Sequence, residues 1–311
     1  MPIIRVNARG RTCHLHESVQ PVTGTLKRTR TTPGPVIIMI HGYSYHPGDR
    51  VHCPHHHILS LKPRALPWAA PSWPRELGFG GMARDEGLGI AFAWPARGTL
   101  WAAQRRARDA GHALAALVAG LHHAAPDRPI HIAAHSMGIE VAAEALHHLP
   151  AGSVDRIVSM TGASYRSRIA KALDTPAGRR ATFINVTSRE NDLFDFLFER
   201  LIAPSAPGDR TLGQGIEAAN AVTVQLDCPA SLTHLAQLGA RIAPPSQRIC
   251  HWSSYMRPGV LQFYCKLMRQ PERYSLNQLR AGLPEHSAPR WSRLVARPNI
   301  AWPQPIAQKA S

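Results

Sequence analysis

The sequence has no long hydrophobic run and few cysteines. No apolar stretch in its 311 residues approaches the roughly 20 residues that cross a bilayer. The five cysteines are scattered and odd in number, which favours reduced thiols over a disulfide framework. The first residues, Met1–Arg5, lack the apolar core of a signal peptide. We therefore expect a cytoplasmic protein.

Acidic residues and lysines are also scarce. Asp and Glu total 20 against 36 Lys and Arg, and only five of these basic residues are lysines. A net charge of +16 can indicate a nucleic-acid partner or an anionic surface. The arginines, however, are spread along the chain without a long basic run. We therefore expect no nucleic-acid partner and at most a weak attraction to an acidic membrane surface.

The chain does have buried strand-like runs that alternate with helical patterns. Strands are predicted at residues 3–6, 12–15, 36–40, 88–94, 130–133, 156–161 and 181–187, with a weaker one at 248–250. Helices are predicted at residues 101–123, 139–149, 167–173, 193–201 and 260–268. This alternation predicts an α/β fold with a doubly wound, mainly parallel sheet, in a domain of residues 1–282.

Two segments depart from that pattern. Residues 43–87 are rich in Pro, Gly, His and Trp and predict an irregular, lid-like insertion over the strand ends. Residues 283–311 are rich in Pro, Ser and Arg and predict a C-terminal tail. The large apolar side chains of the insertion either line a substrate pocket or pack as an ordinary loop: Leu66, Trp68, Trp73 and Phe79.

Ser136 lies on a predicted turn between a β-strand and a helix. A β-rich run ends in Ala134-His135-Ser136-Met137-Gly138 and continues directly into a helical pattern. A serine on such a strand-to-helix turn is held in a strained conformation, with its side chain clear of both elements. The positions two before and two after the serine must be small, which fits Ala134 and Gly138.

Polar residues follow the carboxyl ends of several predicted strands, where functional groups of such sheets lie. His41 and Gly42 follow one strand, Ser136 another, Asp192 a third and His251 the last. A serine hydroxyl needs a base within hydrogen-bond reach, and imidazole suits because its pKa is near the working pH. A carboxylate can then orient the imidazole and stabilise its charged form.

This order of serine, acid and histidine resembles the α/β-hydrolase superfamily, over roughly residues 34–270. The resemblance implies that Ser136 is the nucleophile, His251 the base and Asp192 the acid. It also implies an oxyanion hole formed by the N–H of Met137 and an N–H of Gly42 or Tyr43. The acid motif departs from the family pattern because Ser188–Asp192 lacks the usual glycine, and Ala134 replaces the usual glycine before the serine.

Alternatives remain open for the acid and the base. Asp195 and Glu190 compete with Asp192, and His234 and His286 compete with His251. The residues from His52 to His57 could suggest a metal site. Consecutive histidines cannot easily converge on one ion, and their spacing matches no standard zinc pattern, so we expect neither a metal nor a cofactor.

The sequence therefore predicts a serine hydrolase that cleaves a carboxylic ester or thioester through an acyl-enzyme. The aromatic-rich insertion favours a substrate with an apolar acyl group. The alternative is a non-catalytic protein of the same fold that binds an anionic partner or a membrane surface.

Overall fold

A computed structural model describes residues 3–18, 20–28 and 33–295. Its centre is one eight-stranded sheet in the order β2-β1-β4-β3-β5-β6-β7-β8. All neighbouring strands are parallel except β1 and β2, which form an antiparallel pair. The strands are β1 Ile3–Arg9, β2 Thr12–Leu15, β3 Val36–Ile40, β4 Leu88–Ala93, β5 Ile130–His135, β6 Arg156–Met160, β7 Thr182–Thr187 and β8 Ala221–Gln225.

Helices connect the strands and cover both faces of the sheet. They are α1 Val22–Arg28, α2 Trp73–Glu76, α3 Leu100–Ala124, α4 Gly138–Leu146, α5 Arg166–Leu173, α6 Pro176–Arg180, α7 Asp192–Leu201, α8 Pro229–Gln237, α9 Ser253–Met256, α10 Val260–Arg269, α11 Leu276–Arg280 and α12 Ser292–Val295. Short 3₁₀ turns occur at Pro54–His56, Arg189–Asn191 and Leu212–Gln214. Across the described residues, no helix is both long and apolar enough to cross a membrane.

The central strands are apolar along their whole length because both of their faces are covered. Every residue of β3, β4, β5 and β6 is buried. Alternate side chains of these strands enter two separate apolar cores, one with α3 and α4 and the other with α8 and α10. Parallel sheets need this double cover, which explains why the strands appear in the sequence as continuous apolar runs. The predicted fold class is confirmed.

The last strand is not where the sequence analysis placed it. Residues 248–250 form no strand, and the eighth strand is Ala221–Gln225, where the sequence analysis predicted none. Cys250 instead donates its backbone N–H to Glu190 O at 2.8 Å. The segment at 248–250 therefore tethers the following residue, His251, to the loop after β7.

The insertion at 43–87 is irregular, and most of its apolar residues serve packing. Trp73 and Phe79 are fully buried in the core, whereas Leu66 is exposed. Trp68 is half-buried and its ring lies 5.5 Å from the ring of Trp252. None of the four lines the cavity beside Ser136, which takes only Tyr43, Ser44 and Tyr45 from the insertion.

The predicted tail begins within the described part of the chain. Ala288 donates its N–H to Gln225 of β8 at 2.8 Å, and Arg290 pairs with Glu199 of α7 at 2.6 Å. Residues 283–295 therefore pack against the domain at the carboxyl end of the sheet. Residues 296–311 of the predicted tail lie outside the described residues.

Candidate active site

Ser136 occupies the tight turn between β5 and α4. Its φ is +52°, in the left-handed region that non-glycine residues rarely adopt. The backbone holds this turn on both sides: the Ser136 N–H donates to Met160 O at 3.1 Å, and Ser136 O accepts from Ala163 N at 3.0 Å. The serine is thus fixed at the carboxyl end of the sheet, in the conformation predicted from the sequence.

Two glycines allow the loop after β3 to approach this turn. A Cβ on Gly138 would lie 2.7 Å from His41 O, and a Cβ on Gly42 would lie 2.7 Å from Ser136 Cβ. Both contacts are shorter than any side chain tolerates, so these two positions require glycine. The residue two before the serine, Ala134, is buried and accommodated with its methyl group.

His251 is the histidine that the structure brings to Ser136. Its Nε2 lies 2.9 Å from Ser136 Oγ. The competing candidates lie elsewhere: His234 contacts the carbonyl groups of Gln278 and Leu279, and His286 is exposed beside a different cleft.

The group behind His251 is Asn191, not Asp192. His251 Nδ1 lies 2.6 Å from Asn191 Oδ1. An amide oxygen only accepts hydrogen bonds, so His251 must donate its Nδ1 proton to it. Nε2 is then unprotonated and can accept from the Ser136 hydroxyl, which is the tautomer that a general base requires.

Asp192 faces away from His251. One of its carboxylate oxygens accepts from Arg189 Nη1 at 3.1 Å, and the other accepts from the Trp291 N–H at 2.6 Å. Both Arg189 and Asp192 are buried. Burial raises the pKa of the Asp192 carboxyl, and the Arg189 guanidinium opposes that rise. The predicted contact between Asp192 and His251 is therefore corrected to one between Asn191 and His251.

The other two candidate acids also do not contact His251. Glu190 is buried and paired with Arg257, and it accepts from Ser188 Oγ at 3.0 Å. Asp195 is buried one turn behind Asn191 and hydrogen-bonds to the Asn191 side chain. Burial raises the pKa of Asp195 to about 7. The contacts therefore run from Ser136 through His251 and Asn191 to Asp195.

The low polarity around His251 depresses its basicity. Burial lowers the pKa of His251 to about 4. The ring is half-buried and lies 4.7 Å from the Phe194 ring and 4.8 Å from the His135 ring. His251 is therefore neutral at pH 7 and has an unprotonated nitrogen ready to accept a proton.

The predicted oxyanion-hole residues lie beside Ser136. Within the described parts of the chain, neither the Met137 N–H nor the Tyr43 N–H donates to a protein acceptor. His41 fixes the loop that carries Gly42 and Tyr43, since its Nδ1 donates to Gly42 O at 2.8 Å and its Nε2 accepts from the Trp94 N–H at 3.1 Å. These two contacts engage both ring nitrogens of His41 and explain why a histidine follows β3.

A cavity of about 230 Å³ opens in front of the Ser136 hydroxyl. Its apolar wall comes mainly from α7 and includes Phe194, Leu197, Phe198 and Leu201. Leu197 and Leu201 are partly exposed and form a rim with Tyr43 and Trp252. A larger cleft of about 630 Å³ lies beside Gln214 and His286, and it contains neither Ser136 nor His251.

Sequence reasoning missed Asn191 and the cavity wall on α7. Asn191 directly precedes Asp192, and neighbouring residues on a helical turn point about 100° apart. The local sequence therefore could not tell which of the two faces His251. The apolar residues of α7 were evident in the sequence. Their spacing did not indicate whether they line a cavity or pack in the core.

Residues 20–163 match the model of a protein family described as alpha/beta hydrolase of unknown function (DUF900). The match includes β3 to β6 and the turn that carries Ser136, and it ends before Asn191, Asp195 and His251. A search of the curated proteins found no match. The family match and the sheet together confirm the predicted likeness to α/β hydrolases.

Proposed function

We propose that this protein of the α/β-hydrolase superfamily is a serine hydrolase that cleaves a carboxylic ester or thioester with a short apolar acyl group. The observation that carries the proposal is the 2.9 Å contact between Ser136 Oγ and His251 Nε2 at an apolar cavity. A hydroxyl and an imidazole in this contact form an activated nucleophile. The catalytic roles of the residues are part of this proposal.

In the first half of the reaction, Ser136 Oγ attacks the substrate carbonyl carbon and its proton moves to His251 Nε2. The electron pair of the carbonyl bond moves to the oxygen, whose charge the N–H of Met137 and that of Tyr43 or Gly42 stabilise. The intermediate then collapses, and the alcohol or thiol leaves with the proton from His251. Ser136 remains as an acyl ester.

In the second half, His251 takes a proton from water and the resulting hydroxide attacks the acyl ester. Collapse of this second intermediate breaks the bond to Ser136 Oγ, which takes its proton back from His251. The carboxylic acid is released and the enzyme returns to its starting state. Each proton thus travels through His251 Nε2.

Asn191 takes the orienting role that the sequence analysis gave to Asp192. Its amide oxygen fixes the His251 tautomer, as an acid would, but adds no negative charge. The backbone supports this contact, because the Cys250 N–H donates to Glu190 O and so joins the residues that precede His251 and Asn191. Asp195 positions Asn191 from behind.

The size and lining of the cavity support a short apolar acyl group. At about 230 Å³ it is smaller than the roughly 300–1,000 Å³ of sites that enclose drug-sized ligands. Phe194 and Phe198 offer the substrate no hydrogen-bond partner, so recognition would rest on burial of apolar surface.

The test is hydrolysis of p-nitrophenyl esters and acyl thioesters of increasing chain length by the full chain. We expect turnover of short acyl chains, a fall in kcat/KM for long ones, and no turnover by Ser136→Ala. Phe198→Trp fills the cavity and should shift the preference to shorter chains. A folded wild-type protein without activity on any of these substrates would contradict the proposal and favour the non-catalytic binding protein.

A further inference from the structure

Three metal-binding side chains meet where the insertion crosses the end of β2. One potential ligand atom from each of His16, Cys53 and His56 lies within 4.8 Å of the other two. His16 and Cys53 are buried and His56 is half-buried. These residues play no part in the Ser136 site, so their convergence needs another explanation.

Two nitrogens of this cluster are buried without a hydrogen-bond partner. In the described residues, neither His16 Nε2 nor His56 Nδ1 has one. The His16 side chain is only 4% exposed, so water does not compensate its Nε2. A buried polar atom left unpaired costs about 1–3 kcal/mol, and an ion bound to His16 Nε2 would relieve that cost at this nitrogen.

The local backbone explains how a run of histidines can supply one ligand. Cys53 begins the 3₁₀ turn Pro54–His56, in which side chains three residues apart lie over one another. Cys53 and His56 therefore share a face. The neighbouring histidines turn elsewhere, since His55 Nε2 contacts Asn7 Oδ1 at 2.7 Å and His57 Nδ1 contacts Tyr45 Oη at 2.6 Å.

Glu17 places a fourth potential donor next to the two histidines, with its side chain 58% exposed. Its Oε1 lies 3.5 Å from His16 Nε2 and 3.7 Å from His56 Nε2. Tetrahedral coordination at Zn–N distances of about 2.0–2.1 Å separates ligand nitrogens by roughly 3.4 Å, so small side-chain movements complete such a site. Imidazole nitrogen and thiolate sulfur are the ligands that Zn²⁺ prefers.

We propose that His16, Cys53 and His56, with Glu17 as the fourth ligand, bind a divalent metal ion of the zinc type. The ion would join the edge of the sheet at β2 to the insertion at 43–87. Because His57 holds the Tyr45 hydroxyl beside the candidate active site, the ion would also fix the part of the insertion that reaches the cavity. The site is structural and does not depend on the proposed hydrolase activity.

Asn7 is placed to support the ligand His16. Its amide lies between the two rings, with Nδ2 3.2 Å from His16 Nδ1 and Oδ1 2.7 Å from His55 Nε2. When His16 binds the ion through Nε2, its Nδ1 must carry the proton. Asn7 would then turn its amide over, so that Oδ1 accepts from His16 and Nδ2 donates to His55. Such outer partners change metal affinity by about 10- to 100-fold.

The test is titration of the metal-free full chain with Co²⁺, whose bonds to thiolate give a strong near-ultraviolet charge-transfer absorption. We expect this band to saturate at one ion per chain and to disappear when Zn²⁺ is added in competition. Cys53→Ser should abolish the band. His56→Ala, at a half-buried position, should abolish Zn²⁺-dependent thermal stabilisation without preventing folding, and Asn7→Ala should weaken Co²⁺ binding about 10- to 100-fold.

Matched variants separate this site from other ligands in the chain. Cys265→Ser removes another thiol, and His52→Ala removes a histidine of the same loop that contacts Asp49 instead. His148→Ala breaks a second group of potential ligands, His112, Glu144 and His148, at the surface. All three should retain the band and the stabilisation. Co²⁺ binding without a thiolate band, a band that survives Cys53→Ser, or stabilisation lost only in His148→Ala would overturn the proposal.

Discussion

At the residue scale, the uncharged side chain of Asn191 has consequences for His251. A carboxylate beside the imidazole would stabilise the imidazolium and raise its pKa, whereas an amide oxygen contributes only a dipole. Burial then dominates and lowers the pKa of His251 to about 4. The base is weak, but it is fully available in its neutral form at neutral pH.

The pH dependence of hydrolysis should report this pKa. Since His251 must be neutral to accept the serine proton, kcat/KM should rise with pH through about 4 and then level off. Asn191→Asp places a negative charge 2.6 Å from Nδ1, and should move that midpoint upward by about 1–3 pH units. The measurement is kcat/KM on one ester between pH 3 and pH 9.

The same experiment distinguishes the two assignments of the orienting residue. Asp192→Asn should leave the acid midpoint in place, because Asp192 contacts Arg189 and Trp291 instead of His251. A midpoint that moves in Asp192→Asn and stays fixed in Asn191→Asp would restore the triad predicted from the sequence. Asn191→Ala should lower kcat about 10²-fold through misorientation of the ring.

Asp195 should make the free energy of unfolding depend on pH. Its pKa is about 7 in the folded protein against 3.8 for the ordinary carboxyl, so the folded state holds the proton more tightly. The protonated Asp195 carboxyl therefore contributes fully to the free energy of unfolding below pH 4. This contribution is lost as pH rises to about 7. Asp195→Asn mimics the protonated carboxyl and should match the wild type at pH 4.

Above pH 7 the Asp195→Asn variant should be more stable than the wild type, by up to about 4 kcal/mol for a pKa difference of this size. Urea unfolding at pH 4 and pH 8 measures the effect. A variant less stable than the wild type at pH 8 would mean that the folded protein uses the charged carboxylate.

His251 was chosen from the sequence because residues 248–250 were predicted to form a strand, but they form none, and the hydrogen bond from the Cys250 N–H to Glu190 O positions His251 instead. Ser136 was predictable because it follows the end of β5. Asn191 was not, because the direction of a side chain in the loop after β7 depends on the 3₁₀ turn Arg189–Asn191 and on the buried pair of Arg189 with Asp192. That pair links residues of one loop and leaves no periodic signature. Asp192, the carboxylate expected to contact His251, instead forms this buried pair with Arg189.

At the element scale, α3 and α4 hold the nucleophile turn by packing closely against each other. Gly111 of α3 lies at their contact, where an added Cβ would be 2.4 Å from Glu144 Cβ and 3.1 Å from Val141 O. Gly120, on the same helix, is exposed and an added Cβ would meet nothing within 4 Å. The two glycines differ in packing and share the same helical conformation.

Alanine at these two positions should therefore act in opposite directions. Gly120→Ala should stabilise the protein by about 0.5–1 kcal/mol, because alanine favours the helix. Gly111→Ala should destabilise it by about 1–3 kcal/mol through overpacking against α4, and should lower kcat as α4 shifts. Thermal unfolding and ester hydrolysis measure both, and equal effects of the two variants would show that the helices tolerate separation.

The completely buried strands were predictable from the sequence, and so were the partly buried β1 and β2, whereas β8 was not. The strands β3 to β7 are apolar runs bounded by turn residues, and their prediction was confirmed. β8 is a five-residue edge strand, Ala221–Gln225, with Thr223 half-buried and Gln225 buried. Its polar positions resemble those of a loop, since an edge strand has a neighbour on only one side.

At the scale of the whole molecule, the C-terminal segment 284–295 contacts the rear of the site. Trp291 donates its N–H to Asp192, Arg290 pairs with Glu199, and Ala288 donates to Gln225. The segment therefore gives the buried Asp192 carboxylate a hydrogen-bond donor and joins α7 to β8. The sequence predicted a tail from residue 283 because Pro, Ser and Arg carry no apolar pattern, and contacts made by backbone N–H groups leave no pattern to find.

A chain that ends at Leu283 should be less stable than one that ends at Val295. Loss of the Trp291 N–H leaves one Asp192 oxygen without a partner, at a cost of about 1–3 kcal/mol. The comparison is the melting temperature of the two truncated proteins together with their activity on one ester. Equal melting temperatures would show that the segment contributes nothing to the domain.

The most direct test of the central claim is labelling with a fluorophosphonate probe, followed by intact-mass measurement and peptide mapping. The probe reacts with serines whose hydroxyl is activated by a base. We expect one label per chain on Ser136, no label in Ser136→Ala, and labelling slowed by about 10²-fold or more in His251→Ala. A folded wild-type protein that remains unlabelled, or that carries the label on another residue, would contradict the central claim.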